Sequence, residues 1–230
     1  MEHQKHTSLK DMARILGVSI PTVSRALKDS PEISRELCAR AKQLAREMNY
    51  RPNPFAMSLR KNTPRIIGVV VPEIVTHFFS SILSGIEDMA IANGYFVIIA
   101  TSHELYEHEK RNIENLVNMR VEGIIACLSQ ETTDYRHFTT LSHINMPVVL
   151  FDRVCLPELF STVVADGVQS AQKATQHLLD NGSRRIAFIG GANHLDIVKR
   201  RKHGYLEALR ENKIPIEREL VVCRKIDYEE

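Results

Sequence analysis

The sequence predicts an all-α headpiece of three short helices followed by an α/β domain built on parallel sheets. Three observations carry that expectation. Apolar residues recur at helical spacing through the first fifty positions, with Gly17 and Ser34 marking the breaks. From Pro64 onward, short apolar runs alternate with amphipathic stretches, the pattern of βαβ units. Charge divides at the same place: residues 1 to 63 hold 12 Lys and Arg against 6 Asp and Glu, a net of +6, while residues 64 to 230 hold 18 against 22, a net of −4. The front end is the part suited to meeting a polyanion.

In the headpiece, Leu9, Met12, Ala13 and Leu16 fall at i, i+3, i+4 and i+7, the apolar stripe of a two-turn helix that Gly17 ends. Ser19 stands as N-cap of a second helix, expected from Ile20 to Leu27, with Pro21 in its first turn and Val23, Ala26 and Leu27 facing inward. Ser34 caps a third, whose stripe is Leu37, Ala41, Leu44, Ala45 and Met48. The second helix leaves Thr22, Ser24 and Arg25 outside this shared core. A helix fits the major groove of duplex DNA, and an arginine there can donate two hydrogen bonds to guanine O6 and N7. Arg25 is therefore the candidate base reader. The hydroxyls of Ser19, Thr22 and Ser24 suit phosphate oxygens, so they either position the helix or read bases. Beyond it, Asn53 and Pro54 could open one more helix before Arg60, but under two turns frays alone, and the residues by themselves favour a plain linker.

In the body, strands are expected at Ile66 to Val71, Phe96 to Ala100, Gly123 to Cys127, Val148 to Phe151, Val163 to Ala165, Arg185 to Ile189 and Leu220 to Cys223. Helices are expected at Phe79 to Asn93, Tyr106 to Asn118, Tyr135 to His143, Gly167 to Asn181 and His194 to Asn212. Ligands on open parallel sheets sit beyond the carboxyl ends of the strands. His77, Phe78 and Phe79, Ser102, Ser129 and Gln130, Asp152 and Arg153, and Asp166 all follow strands in this way, although many such residues only cap helices or line turns.

Several function classes lose support. Cys38, Cys127, Cys155 and Cys223 are too scattered for a zinc ribbon or a CxxC redox pair, and the ten histidines form no HExxH, so no metal is expected. GxGxxG, GxxxxGK[ST] and GxSxG are missing too, which leaves Ile189-Gly-Gly191 as a weak hint of phosphate binding and no catalytic set to name. The longest apolar runs fall well short of the ~20 residues that span a bilayer. The first residues carry no export signal, so a cytoplasmic protein is expected. That, with the basic headpiece, also argues against a solute-binding protein of a transporter.

The stretch LKDMARILGVSIPTVSRAL, with NYRPNPFAMSLR after it, closely resembles the lac repressor family of bacterial transcription regulators, and the resemblance continues through most of the chain. It implies a helix-turn-helix headpiece over 1–50, a hinge over 51–63, and a periplasmic-binding-protein-like sensor domain of type I. Its N-terminal lobe would occupy 64–165 and an incomplete C-terminal lobe 166–230, since the chain is shorter than family members. In the family the first residues of the recognition helix and its later arginine touch bases, which implies Ile20, Pro21 and Arg25 here. Ile20 offers apolar contact only, for instance to a thymine methyl, and Pro21 has no side-chain donor. The family's hinge becomes helical on DNA and wedges a leucine into a minor-groove step. Leu59 holds that place, and Tyr50, Asn53, Ala56 and Arg60 share the implied DNA contact.

On the sensor side, the family's strand-end Asp-Arg pair is matched by Asp152-Arg153 and its Arg-x-x-Gly-Tyr/Phe motif by Arg201 to Tyr205. With the strand-end reading, effector contact is expected at Phe78, Ser102, Asp152, Arg153 and Arg201. Carboxylate and guanidinium supply charged hydrogen bonds to sugar hydroxyls, and an aromatic covers an apolar sugar face. The implied partners are a near-palindromic operator duplex, a small carbohydrate effector and a second copy of the chain, with no cofactor. Repression is the implied outcome, tuned when the effector shifts the hinge equilibrium. A shortened second lobe implies exposed sheet edges and an effector pocket that does not close.

Overall fold

The structure, a computed structural model, describes residues 8–50 and 65–225. The chain divides into two compact units, Met1–Asn62 and Thr63–Glu230. In the first, α1 (Leu9–Leu16) opens with a reciprocal cap: the Asp11 N–H donates to Ser8 Oγ and the Ser8 N–H to Asp11 Oδ2. Gly17, at φ +69°, closes it in the left-handed conformation that costs glycine least. Next, α2 (Ile20–Ala26) starts at the Ser19 cap, whose Oγ accepts from the Thr22 N–H at 3.3 Å. It ends one residue earlier than expected, with Leu27 as its cap. Then α3 (Arg35–Glu47) starts at Ser34 in the same manner. Met12, Val23, Ala26 and Ala41 are wholly enclosed where the three helices meet.

The second unit is built first from β1 (Ile66–Val71), α4 (His77–Ala92), β2 (Phe96–Thr101), α5 (Tyr106–Asn118), β3 (Gly123–Ala126), α6 (Arg136–His143), β4 (Val148–Phe151) and β5 (Ser161–Val163). Its strands make one parallel sheet in the order β2-β1-β3-β4-β5. The central β1 reads Ile-Ile-Gly-Val-Val-Val because apolar side chains are buried on both of its faces. One core gathers Val70, Leu116, Phe138 and Leu150, and the other gathers Val69, Val71, Phe79 and Phe151. After it come α7 (Gly167–Asp180), β6 (Phe188–Gly190), α8 (Asp196–Glu211) and, past a short 3-10 turn, β7 (Val221–Cys223). Strands β6 and β7 pair in parallel as a separate sheet, and α7 packs along α8. The lobes expected at 64–165 and 166–230 thus lie within one compact unit that holds two sheets.

Most element limits fall within one or two residues of the sequence expectation, and three of the differences have a visible physical cause. Strand β5 is Ser161–Val163 rather than Val163 to Ala165, because register with β4 sets it: Val149, Leu150 and Phe151 face Ser161, Thr162 and Val163. Strand β6 is Phe188–Gly190 rather than Arg185 to Ile189. Its pairing with Val221–Cys223 fixes the limits, while Arg185 turns out to bond Glu217 at 2.8 Å. Helix α4 begins two residues early, at His77, because Thr76 Oγ1 caps it by accepting from the Phe79 N–H.

Candidate functional site

On the headpiece, α2 turns Val23 and Ala26 into the core and leaves Arg25 exposed. Ser19 and Pro21 are exposed, and Thr22 and Ser24 are half-buried. Ser19 Oγ and Thr22 Oγ1 lie 2.8 Å apart, so the two hydroxyls at the helix start form one polar corner. Ile20 packs in part against the core, which leaves only some of its surface for an outside contact. Tyr50 packs on the same core, half-buried, past the end of α3. Arg25 Nη1 donates to Glu32 Oε2 at 2.7 Å, across the turn into α3, an engagement that nothing in the local sequence announced. Asn53, Ala56, Leu59 and Arg60 lie outside the described residues.

In the second unit a cleft of about 270 Å³ opens where the carboxyl ends of the larger sheet face α8. Phe78 and Phe79 come to it from the start of α4, Gln130 from beyond β3, and Asp152 and Arg153 from beyond β4. Across from them, Arg201, Leu195 and Val198 come from α8 and its N-terminus. Small-molecule sites typically run from roughly 300 to 1,000 Å³ with an apolar lining and a few convergent polar groups, and this cleft has that make-up at the small end. Asp152 takes a left-handed backbone, φ +56°, where β4 ends. Burial holds its carboxyl above the usual carboxylate range, an effect that Arg153 and Arg201 oppose.

Arg153 is held from behind. Its Nη1 donates to Glu104 Oε2 at 2.6 Å, and the same oxygen accepts the Gln130 N–H at 2.7 Å. Burial is the largest single effect and works against the charged guanidinium, but the Glu104 hydrogen bond and the surrounding anionic groups together outweigh it and the fork stays protonated. Glu109, wholly buried, accepts from the Ser129 N–H at 2.5 Å, from Thr132 Oγ1 at 2.8 Å and from His137 Nε2 at 2.8 Å. These two carboxylates fix the loop after β3, and Lys225, beyond β7, grips its Glu131 at 2.8 Å. The Lys225 hydrogen bond holds the Glu131 carboxyl below its ordinary range. Ser102 is not brought to the cleft surface: it is fully buried and accepts from Ser129 Oγ at 2.7 Å, a structural bond beneath the loop. Asp166 caps α7 by accepting from the Gln169 N–H.

Both halves match known families. The model described as periplasmic binding proteins and sugar binding domain of LacI family matches residues 65–229, and that described as bacterial regulatory proteins, lacI family, matches residues 8–53. This chain belongs to the LacI family. It is 31% identical over 208 residues to the ribose operon repressor of Halalkalibacterium halodurans, which covers 90% of this chain and 61% of that protein. Against the HTH-type transcriptional repressor CytR of Escherichia coli K12 it is 30% identical over 223 residues, 96% of this chain and 64% of the other. Among solved structures, a LacI-family transcriptional regulator from Silicibacter pomeroyi superposes with a TM-score of 0.75 at 26% identity, covering 96% of this chain and 66% of that one. The chain thus spans a little under two thirds of the length of the curated relatives it matches.

In this LacI-family chain the Arg-x-x-Gly-Tyr motif divides by role. Arg201 faces the cleft. Gly204 instead lies against the backbone of α7, where a Cβ would fall on the Val168 carbonyl, and Tyr205 is buried with its hydroxyl donating to Ile186 O at 2.8 Å. Glu104 and Glu109 were missed by sequence reasoning. Their partners lie 20 to 49 positions away, so no local spacing signals them. Among the described residues no cluster of three or more His, Cys, Asp or Glu could hold a metal ion, and no helix is long and apolar enough to cross a membrane. The cysteines are free thiols, with burial pushing Cys155 up to about 12.

Proposed function

We propose that this chain is a sequence-specific transcription regulator, acting as a repressor in the cytoplasm, whose operator binding is controlled by a small carbohydrate. One observation carries the reading: a capped, core-anchored α2 that presents Arg25 and the Ser19–Thr22 hydroxyl corner outward from a basic headpiece. Arginine's fork matches guanine O6 and N7, and hydroxyls at a helix start match phosphate, so one helix both reads and positions. The membership of the chain and the names of its relatives as repressors add weight. The protein does no chemistry of its own in this reading.

A second copy completes the binding unit. Met89 and Ile91 at the end of α4, with Phe96 and Ile99 on the edge strand β2, are large, apolar and exposed. An edge of this kind is covered in a soluble protein, and self-association through it would supply the two headpieces that a near-palindromic duplex requires. In this reading the carbohydrate is bonded by Asp152, Arg153 and Arg201 and covered by Phe78, contacts that this chain's own cleft supplies and that do not require the pocket to be closed by a full second lobe. Duplexes selected from a random pool by the wild-type chain and by Arg25→Ala test the reading. The wild type is expected to enrich one two-fold motif, and the variant to lose a guanine from each half. Enrichment of one and the same motif by both proteins would refute Arg25 as the reader.

A further inference from the structure

Building on the reading that α2 enters a duplex groove, we infer that Glu32 is a specificity-determining residue. Its carboxylate occupies Arg25 in the DNA-free headpiece and keeps that guanidinium off phosphates until a guanine edge replaces it. The contact is direct, Arg25 Nη1 to Glu32 Oε2 at 2.7 Å, with the side chains 55% and 67% exposed. The turn places Glu32 there. Asp29 adopts φ +53°, and the Ser30 N–H donates to Arg25 O at 3.1 Å, folding the chain back on the end of α2. The Ile33 N–H then donates to Ser30 O, and Ile33 packs on the Ala26, Cys38 and Ala41 core. Glu32 is therefore held between two anchored neighbours, beside the one arginine of α2.

A reading arginine carries a built-in conflict. Its charge is permanent, so it binds any phosphate and adds affinity for every sequence alike. A carboxylate at hydrogen-bond distance neutralises that charge and adds repulsion toward the backbone. Exchanging Glu32 for a phosphate swaps one anion for another and gains little. Exchanging it for guanine gains two hydrogen bonds of fixed geometry, and an exposed ion pair is weak enough to be given up for them. Glu32 thus penalises phosphate contact more than base contact. The same turn holds a control, Asp29, which pairs instead with Lys42 of α3 at 2.5 Å.

The test compares the whole 230-residue chain as wild type, Glu32→Gln and Asp29→Asn. Each is titrated with the duplex the wild type selects from a random pool and with an unselected duplex of equal length, across a salt series. Both substituted side chains are exposed, and matching circular dichroism establishes equal folding. Glu32→Gln is expected to bind the unselected duplex about two- to fivefold tighter. Its log-affinity should fall with log salt more steeply by about one per headpiece, and its preference for the selected duplex should shrink. Asp29→Asn, with the same change of charge, should keep the wild-type preference. Equal preference in wild type and Glu32→Gln overturns the inference, as does an equal loss in Asp29→Asn, which would mark a bulk charge effect. A wild-type chain that favours no duplex removes the underlying reading, and the inference with it.

Discussion

Gly204 lies where α8 crosses α7, and the atom that a Cβ would strike is backbone. Helix backbone cannot yield as a side-chain tip can, so Gly204→Ala is expected to destabilise the second unit by about 3 kcal/mol or more, read as a lower denaturant midpoint. Arg201, three positions earlier, behaves in the opposite way: its substitution should cost ligand affinity and little stability. Asp152 adds a pH signature. Burial raises its carboxyl, so the folded chain favours the protonated form, and the corresponding stability is present in acid and lost as pH rises through the raised value. Ligand binding through the ionised carboxylate runs the other way. Calorimetric titration of a carbohydrate ligand between roughly pH 4 and 7 should show affinity failing at a higher pH than an ordinary aspartate would give, with Asp152→Asn flattening the profile.

Single elements show what local sequence can and cannot specify. The α2 helix has seven residues, too few to persist alone, so its cap and its core contacts hold it. Ser19→Ala removes the acceptor for the Thr22 N–H and should lower headpiece stability by about 1 kcal/mol in thermal unfolding followed by circular dichroism. Its effect on DNA affinity should be nearly the same for every sequence. The three headpiece helices, β1, β4 and α5 were legible in the sequence because each carries its own signal: the stripe that Gly17 ends, caps at Ser19 and Ser34, doubly buried apolar runs, or a clean helical period. Strands β5 and β6 were legible only as neighbourhoods. They are three residues each, and a distant partner strand sets their limits. In the cleft, Asp152, Arg153, Phe78 and Arg201 could be named from strand ends and a motif, but the inward turn of Ser102 and the clamps of Glu104 and Glu109 depend on side-chain pairs distant in sequence.

For the molecule as a whole, the proposed function makes affinity for a two-fold duplex depend on joining two headpieces. The exposed apolar set on α4 and β2 is the surface proposed to do so. Replacing Met89 and Ile99 together by Lys is expected to leave a folded monomer in sedimentation and to lower affinity for the selected duplex at least tenfold, because the second headpiece no longer arrives tethered. A dimer with full affinity would locate the joining surface elsewhere. The central claim, that Arg25 on α2 recognises a guanine edge, meets its most direct test when each guanine of the selected duplex is exchanged in turn for 7-deazaguanine, which lacks the N7 acceptor. One position per half-site should weaken wild-type binding by about tenfold and leave Arg25→Ala binding unchanged. If no position separates the two proteins, Arg25 does not read a base and the account of the headpiece fails.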